Sequence, residues 1–290
     1  MPLFRPVAID EPLVAPAVVA GLDGWIDAAG ASTSAASAIG EGGSPVGTFY
    51  PDVLYDYRSR RPILDIVDGR PTTLVWPELA ISRRRTGGRD VLVLTGAEPD
   101  FRWQELGSEL VELCVRLGVV EWVSIGSIPA AVPHTRPVPV LATASRPGLL
   151  ADDVQQGPEG LLRVPSACLS TLELAVAEGG IPTVGFYAQV PHYVQGAYAA
   201  ATMALSEQVG RHLGIETSST SLADEAIAQR ERLDAAVAAD DDSRAYVARL
   251  EQMAGDEQRL PSGDELASEI ERFLRGEAGP SDPSRGRDAP

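Results

Sequence analysis

Over residues 1–215, short apolar runs alternate with Gly-rich turns and amphipathic stretches, the pattern of strands alternating with helices around a largely buried sheet. The runs predict strands at Leu13–Ala20, Val46–Tyr50, Thr73–Trp76, Val91–Thr95, Trp122–Ile125, Val140–Thr143 and Thr183–Tyr187. Helices are predicted between them. Asp27–Ile39 is rich in Ala and Ser, and Trp103–Leu117 carries Leu106, Leu110, Leu113 and Leu117 at helical spacing. Ala167–Glu178 ends at Gly179-Gly180, and Tyr198–Leu213 closes at Gly214, with Ala199, Ala200, Ala201 and Ala204 small enough for close packing.

The strand-like runs stop near residue 216. Leu222–Met253 predicts two antiparallel helices broken around Asp240-Asp241-Asp242-Ser243, whose side chains suit the start of the second helix. A short amphipathic helix is predicted from Gly263 or Asp264 to Leu274, with Leu266, Ile270, Phe273 and Leu274 in one stripe. Residues 276–290 are Gly, Pro, Ser and charge, a composition that predicts disorder. The expected organisation is an α/β domain over 1–215, a helical extension over 216–275 and a disordered tail over 276–290.

Composition narrows the chemistry. The net charge of -17 repels phosphate backbones and anionic membrane surfaces, so neither nucleic acid nor membrane is an expected partner. All 24 basic residues are Arg, and the chain has neither Lys nor Asn. A P-loop lysine and a Schiff-base lysine are therefore excluded. Arg83-Arg84-Arg85 reads as a solvated turn or a contact to an acidic surface rather than a nucleic-acid patch. The two cysteines, Cys114 and Cys168, lie in apolar, helix-like stretches, as reduced buried thiols do. No secretory pattern or long apolar window occurs, so the expected location is the cytoplasm.

Candidate site residues gather at predicted strand ends, where ligands sit in α/β sheets. The first strand feeds Asp23, Trp25 and Asp27, and Asp27 reads either as a helix cap or as a ligand contact. The strand at Val91–Thr95 feeds Glu98, Asp100 and Arg102, which could share a crevice with Asp23 and Asp27. The rival reading is that Pro99 and Asp100 start the helix and Arg102 pairs with an acid. Ser127 ends a strand without the glycine spacing of a hydrolase elbow, so a turn role is expected. His134 and Arg136 lie between Pro133 and Pro137, in a loop expected to be rigid and exposed, and His192 follows the last strand. No ligand spacing for a metal is present, and no catalytic residue, metal or cofactor is expected.

Taken in order, the Gly21-Leu22-Asp23-Gly24-Trp25-Ile26-Asp27 loop, the Val91 to Trp103 segment, Ile125 to Pro137 and Pro182 to Tyr193 resemble the proteasome assembly chaperone 2 family, in its actinobacterial branch. The resemblance covers residues 13–215. It implies a phosphorylase/hydrolase-like three-layer α/β sandwich with a mostly parallel central sheet, a C-terminal helical extension and symmetric homo-oligomers, with a trimer preferred. The family's ATP-grasp-like description does not fit a chain without Lys. Relatives that dock on proteasome α rings often end in a hydrophobic residue, Tyr and one further residue, whereas this chain ends Asp288-Ala289-Pro290. Contact with proteasome subunits is therefore expected through the folded surface or the extension. The expected function is a non-enzymatic, assembly-chaperone-like interaction protein. The alternative is a binder or enzyme for a nucleoside-like or glycosyl-like ligand in the acidic crevice, an analogy at the level of fold.

Overall fold

The computed structural model describes residues 2–9, 11–157, 160–217 and 220–257. In chain order the elements are β1 (Phe4–Pro6), β2 (Ala17–Asp23), α1 (Ala31–Ile39), β3 (Ser44–Phe49), α2 (Pro51–Leu54), β4 (Ile63–Val67), β5 (Arg70–Val75), β6 (Leu79–Thr86) and β7 (Arg89–Ala97). They continue with α3 (Trp103–Leu117), β8 (Glu121–Ala130), β9 (Val140–Ala144), α4 (Cys168–Glu178), β10 (Thr183–Pro191), α5 (Ala199–Leu213), α6 (Thr220–Ala238) and α7 (Asp241–Glu257).

An eight-stranded sheet in the order β1-β3-β6-β7-β2-β8-β10-β9 forms the middle layer. Its four central strands β7, β2, β8 and β10 run parallel, framed by antiparallel strands on both sides. Side chains alternate across these strands with the two-residue period of a pleat. Val18, Ala20 and Leu22 join Leu92 and Leu94 beneath α3 and α4, while Ala17, Val19, Val91 and Val93 face α1 and α5. Both faces are thus covered, which is why the central runs read as continuously apolar.

The helices follow their stripes. In α3, Leu106, Leu110 and Leu113 are buried, and Gly118 ends the helix in the left-handed region at φ 68°. Gly107 lets α3 approach α4, since a Cβ there would lie 3.0 Å from that of Ala175. Cys114 and Cys168 are free and buried, and burial pushes the Cys114 thiol up to about 12.

Several expectations need correction. The helix expected at Asp27–Ile39 starts at Ala31, after a 3-10 turn at Ala28–Gly30. The Arg83-Arg84-Arg85 run is no solvated turn but part of β6, a strand that the charges conceal. Arg83 and Arg85 pair with the fully buried Asp90 at 2.8 and 3.0 Å, and Arg84 donates to the Ile39 carbonyl at 2.9 Å. The strand expected at Thr73–Trp76 falls in β5, which pairs with β4 in a separate two-stranded sheet. The expected helix to Leu274 and the tail at 276–290 lie outside the described residues. Among the described residues, no helix is long and apolar enough to cross a membrane.

Candidate functional site

The sequence-predicted residues fall into two clusters. In the first, the ends of β2, β7 and β8 bring Asp23, Trp25, Asp27, Glu98 and Ser127 to one edge of the sheet. The Glu98 carboxylate accepts from the Trp25 backbone N–H at 2.8 Å and from the Cys168 N–H, at the start of α4, at 2.6 Å. Gly24 makes room for it, because a Cβ there would come within 2.5 Å of the Glu98 Cβ. Asp27 accepts from the Ser32 and Thr33 backbone N–H groups at 2.8 and 3.3 Å and from both hydroxyls, so it caps α1. Buried Ser127 joins it, its N–H donating to the Ile26 carbonyl at 2.7 Å and its hydroxyl to the Ala28 carbonyl at 2.8 Å.

The remaining acids are engaged as well. Asp23 pairs with Arg60 at 2.7 Å, and Asp100 accepts from the Asp56 N–H at 2.8 Å. The helix α3 opens at Trp103, so Pro99 and Asp100 do not start it. Arg102, in the left-handed region at φ 63°, is the N-cap instead, and its pairing with Glu105 is the part of that sequence reading that holds. These carboxylates hold loops to the sheet and to the helix ends. Trp25 is the outward-facing member, with 67% of its surface exposed.

The second cluster holds His134 and His192. Contrary to the expectation of an exposed loop, His134 is 3% exposed, because the helical extension packs over it. Its Nδ1 meets the Tyr193 hydroxyl at 2.7 Å and its Nε2 meets Asp234 of α6 at 3.2 Å. An imidazole protonated on Nε2 satisfies both contacts, donating to the carboxylate and accepting from the phenol. Burial holds the imidazole pKa below its ordinary value, only partly opposed by Asp234. His192 is exposed, with Nδ1 on the Ala130 carbonyl at 3.1 Å and Nε2 on the Tyr246 hydroxyl of α7 at 3.3 Å. The rings of His134, Tyr193, His192 and Tyr246 meet edge to face at centroid distances of 5.5 to 6.4 Å.

Sequence reading missed the partners in this junction. Arg230 donates to the His134 carbonyl at 3.1 Å, Gln229 to the Ala197 carbonyl at 2.8 Å, and Thr135 to Glu251. No local motif announces them, since each lies on a helix whose polar positions look solvated. Beside the junction a groove of about 700 Å³ runs between α5 and α6, lined in part by Arg136, Tyr198, Glu207, Gln208, Arg211 and Arg230. Arg136 is exposed there, and its guanidinium makes no ion pair or hydrogen bond among the described residues. No cluster of His, Cys, Asp and Glu among the described residues could hold a metal ion.

The fold and these junctions define a three-layer α/β protein whose polar strand-end residues tie loops and a helical hairpin to the body. The profile described as PAC2 family matches residues 21–237, and the chain belongs to that family. A Mycobacterium tuberculosis protein of unknown function, Rv2714, is similar in structure with 31% identity and a TM-score of 0.81, over 88% of this chain and 91% of that one. The M. tuberculosis proteasome-assembly chaperone homologue Rv2125 is 33% identical with a TM-score of 0.73, over 80% of this chain and 99% of that one. Pyrococcus furiosus PbaB, an archaeal proteasome activator, shares the fold at 17% identity and a TM-score of 0.61, over 81% of this chain and 99% of that one. A comparison with curated proteins found no match.

Proposed function

We propose that this protein is a non-enzymatic, assembly-chaperone-like interaction protein that works as a homo-oligomer in the cytoplasm and engages proteasome subunits. The observation that carries this reading is the 33% identity with a proteasome-assembly chaperone homologue along 99% of that chain. The geometry supports it. Asp27 and Glu98, the central acids of the crevice, already accept hydrogen bonds on both carboxylate oxygens, which leaves a ligand little to displace without loosening α1 and α4. The α6–α7 hairpin presents a long, acidic, solvated surface, and residues 216–290 carry 18 acidic against 9 basic residues. Such a surface suits recognition of a basic protein face.

The test is quantitative mass spectrometry of what co-purifies with the tagged protein at native expression level, against an untagged control. Enrichment of proteasome α and β subunits or of assembly intermediates is expected. A preparation holding only the protein itself would overturn the proteasome reading.

A further inference from the structure

Helix α5 has two working faces. Ala201, Leu205, Val209 and Leu213 recur at helical spacing and are buried in the core beneath the sheet. Ala200, Ala204, Gln208 and Arg211 form a second stripe, and this one lines the groove of about 700 Å³. The small side chains of Ala200 and Ala204 leave the space open, with Met203 beside them. Val138 and Val140, at the entry to β9, and Val154, on the segment bonded to β9, also line it. The volume is that of a small-molecule site, and these six side chains make its walls largely aliphatic.

The polar groups in the groove are mostly donors in want of an acceptor. Arg136 is exposed, and its guanidinium has no partner among the described residues. Arg211 donates to the side-chain oxygen of the buried Gln208, and no carboxylate among the described residues lies within ion-pair distance of it. Tyr198 is only 4% exposed, yet its hydroxyl makes no hydrogen bond among the described residues. Burial pushes this phenol up to about 12, so it stands there as a neutral donor. Arg230 is neutralised by Asp234 at 3.0 Å. The two carboxylates that line the groove, Asp153 and Glu207, are exposed and pair with none of these arginines.

We propose that this groove binds a small amphipathic anion, an alkyl chain ending in a carboxylate or a phosphate monoester, with the head group on Arg136 and the chain along the aliphatic walls. Two observations select this chemistry. In a chain of net charge -17, Arg60, Arg83, Arg85, Arg102 and Arg230 each hold a carboxylate. Two guanidiniums without one, in the same cavity as a buried phenol that lacks an acceptor, leave room for oxygens the chain itself does not supply. A guanidinium fork matches a carboxylate or a phosphate. The walls, in turn, gain by taking alkyl carbon out of water. Of Phe, Tyr and Trp, only Tyr198 lines the groove among the described residues, which serves a stacked nucleobase poorly. The field of the whole chain repels anions, so binding has to come from these local donors.

Isothermal titration calorimetry of the full chain with octanoate, octyl phosphate and uncharged octanol tests the site. At least one of the two anions is expected to bind about tenfold or more tighter than octanol, and the tighter of the two identifies the head group. Arg136→Gln removes a side chain that has no partner to lose, so it is expected to weaken that anion about tenfold with the melting temperature unchanged. Ala204→Phe, which fills the space between the walls, is expected to weaken both anions alike. Wild-type protein that takes up neither anion would overturn the proposal. So would anions that bind no better than octanol, or that bind Arg136→Gln as tightly as wild type. Should Ala204→Phe fail to fold, the comparison of wild type with Arg136→Gln decides by itself.

Discussion

The Glu98 carboxylate stands 2.6 Å from the Cys168 backbone N–H while its other oxygen receives the Trp25 N–H, so one side chain joins the end of β7 to the start of α4 and to the β2–α1 loop. Removing it leaves two amides without acceptors. Glu98→Ala is expected to cost about 2 to 3 kcal/mol in denaturant unfolding. Gly24→Ala, which forces Glu98 aside, is expected to produce a similar local loosening at residues 24–27 and 168–170 in hydrogen exchange.

Asp90 governs the response to acid. Burial pushes its pKa up, but hydrogen bonds from Arg85 and Arg83 and from the Val14 N–H outweigh that and hold it at about 2. A carboxylate lowered from its ordinary 3.8 stabilises the fold fully above that value, and the contribution is lost as pH falls toward 2. Asp90→Ala is expected to cost about 3 kcal/mol at neutral pH by leaving the mostly buried Arg83 with only the distant Glu11 carboxylate as a counter-charge, and to remove this part of the acid dependence. Unfolding curves at a series of pH values check both.

Docking of the helical extension carries its own pH dependence. The depressed pKa of His134 means that the neutral ring is the form held in the fold, while the unfolded chain titrates near 6.5. The contribution is complete above about pH 6.5 and is lost as pH falls through the lowered folded value. Proteolysis or hydrogen exchange of α6 is expected to accelerate in mild acid. In His134→Phe, which cannot protonate, that acceleration is expected to disappear.

Glu173 has the opposite sign. Burial raises its pKa, only partly countered by hydroxyls of Ser124, Tyr187 and Thr143. A raised carboxyl favours folding below the unfolded value and loses that contribution as pH rises through the folded one. Glu173→Gln is therefore expected to match or exceed wild-type stability at pH 7, with the advantage vanishing near pH 4, by thermal unfolding at the two values.

Gly118 isolates a backbone effect. At φ 68° a Cβ would meet nothing within 4 Å, so Gly118→Ala costs only the left-handed conformation, about 1 kcal/mol. A loss well above that in denaturant unfolding would refute the assignment.

Sequence alone determined the layers. Period-two and period-3.6 patterns report which face of an element is buried, so α3 was readable at its observed limits and the central parallel strands were placed to within a few residues. Tertiary structure decided which polar residues meet. Arg83 and Arg85 looked like surface charge until β7 supplied Asp90, and β6 went unread for that reason. His134 looked exposed because its cover, Asp234 and Arg230, comes from about a hundred residues away. Capping by Asp27 was one of the two readings the sequence offered, and the Ser32 amide donates to it, but the engagement of Glu98 with the amides of Trp25 and Cys168 was not legible. Local pattern encodes burial, whereas the partner of a charge is fixed by chain topology, and the same letters serve a solvated turn and a buried ion pair.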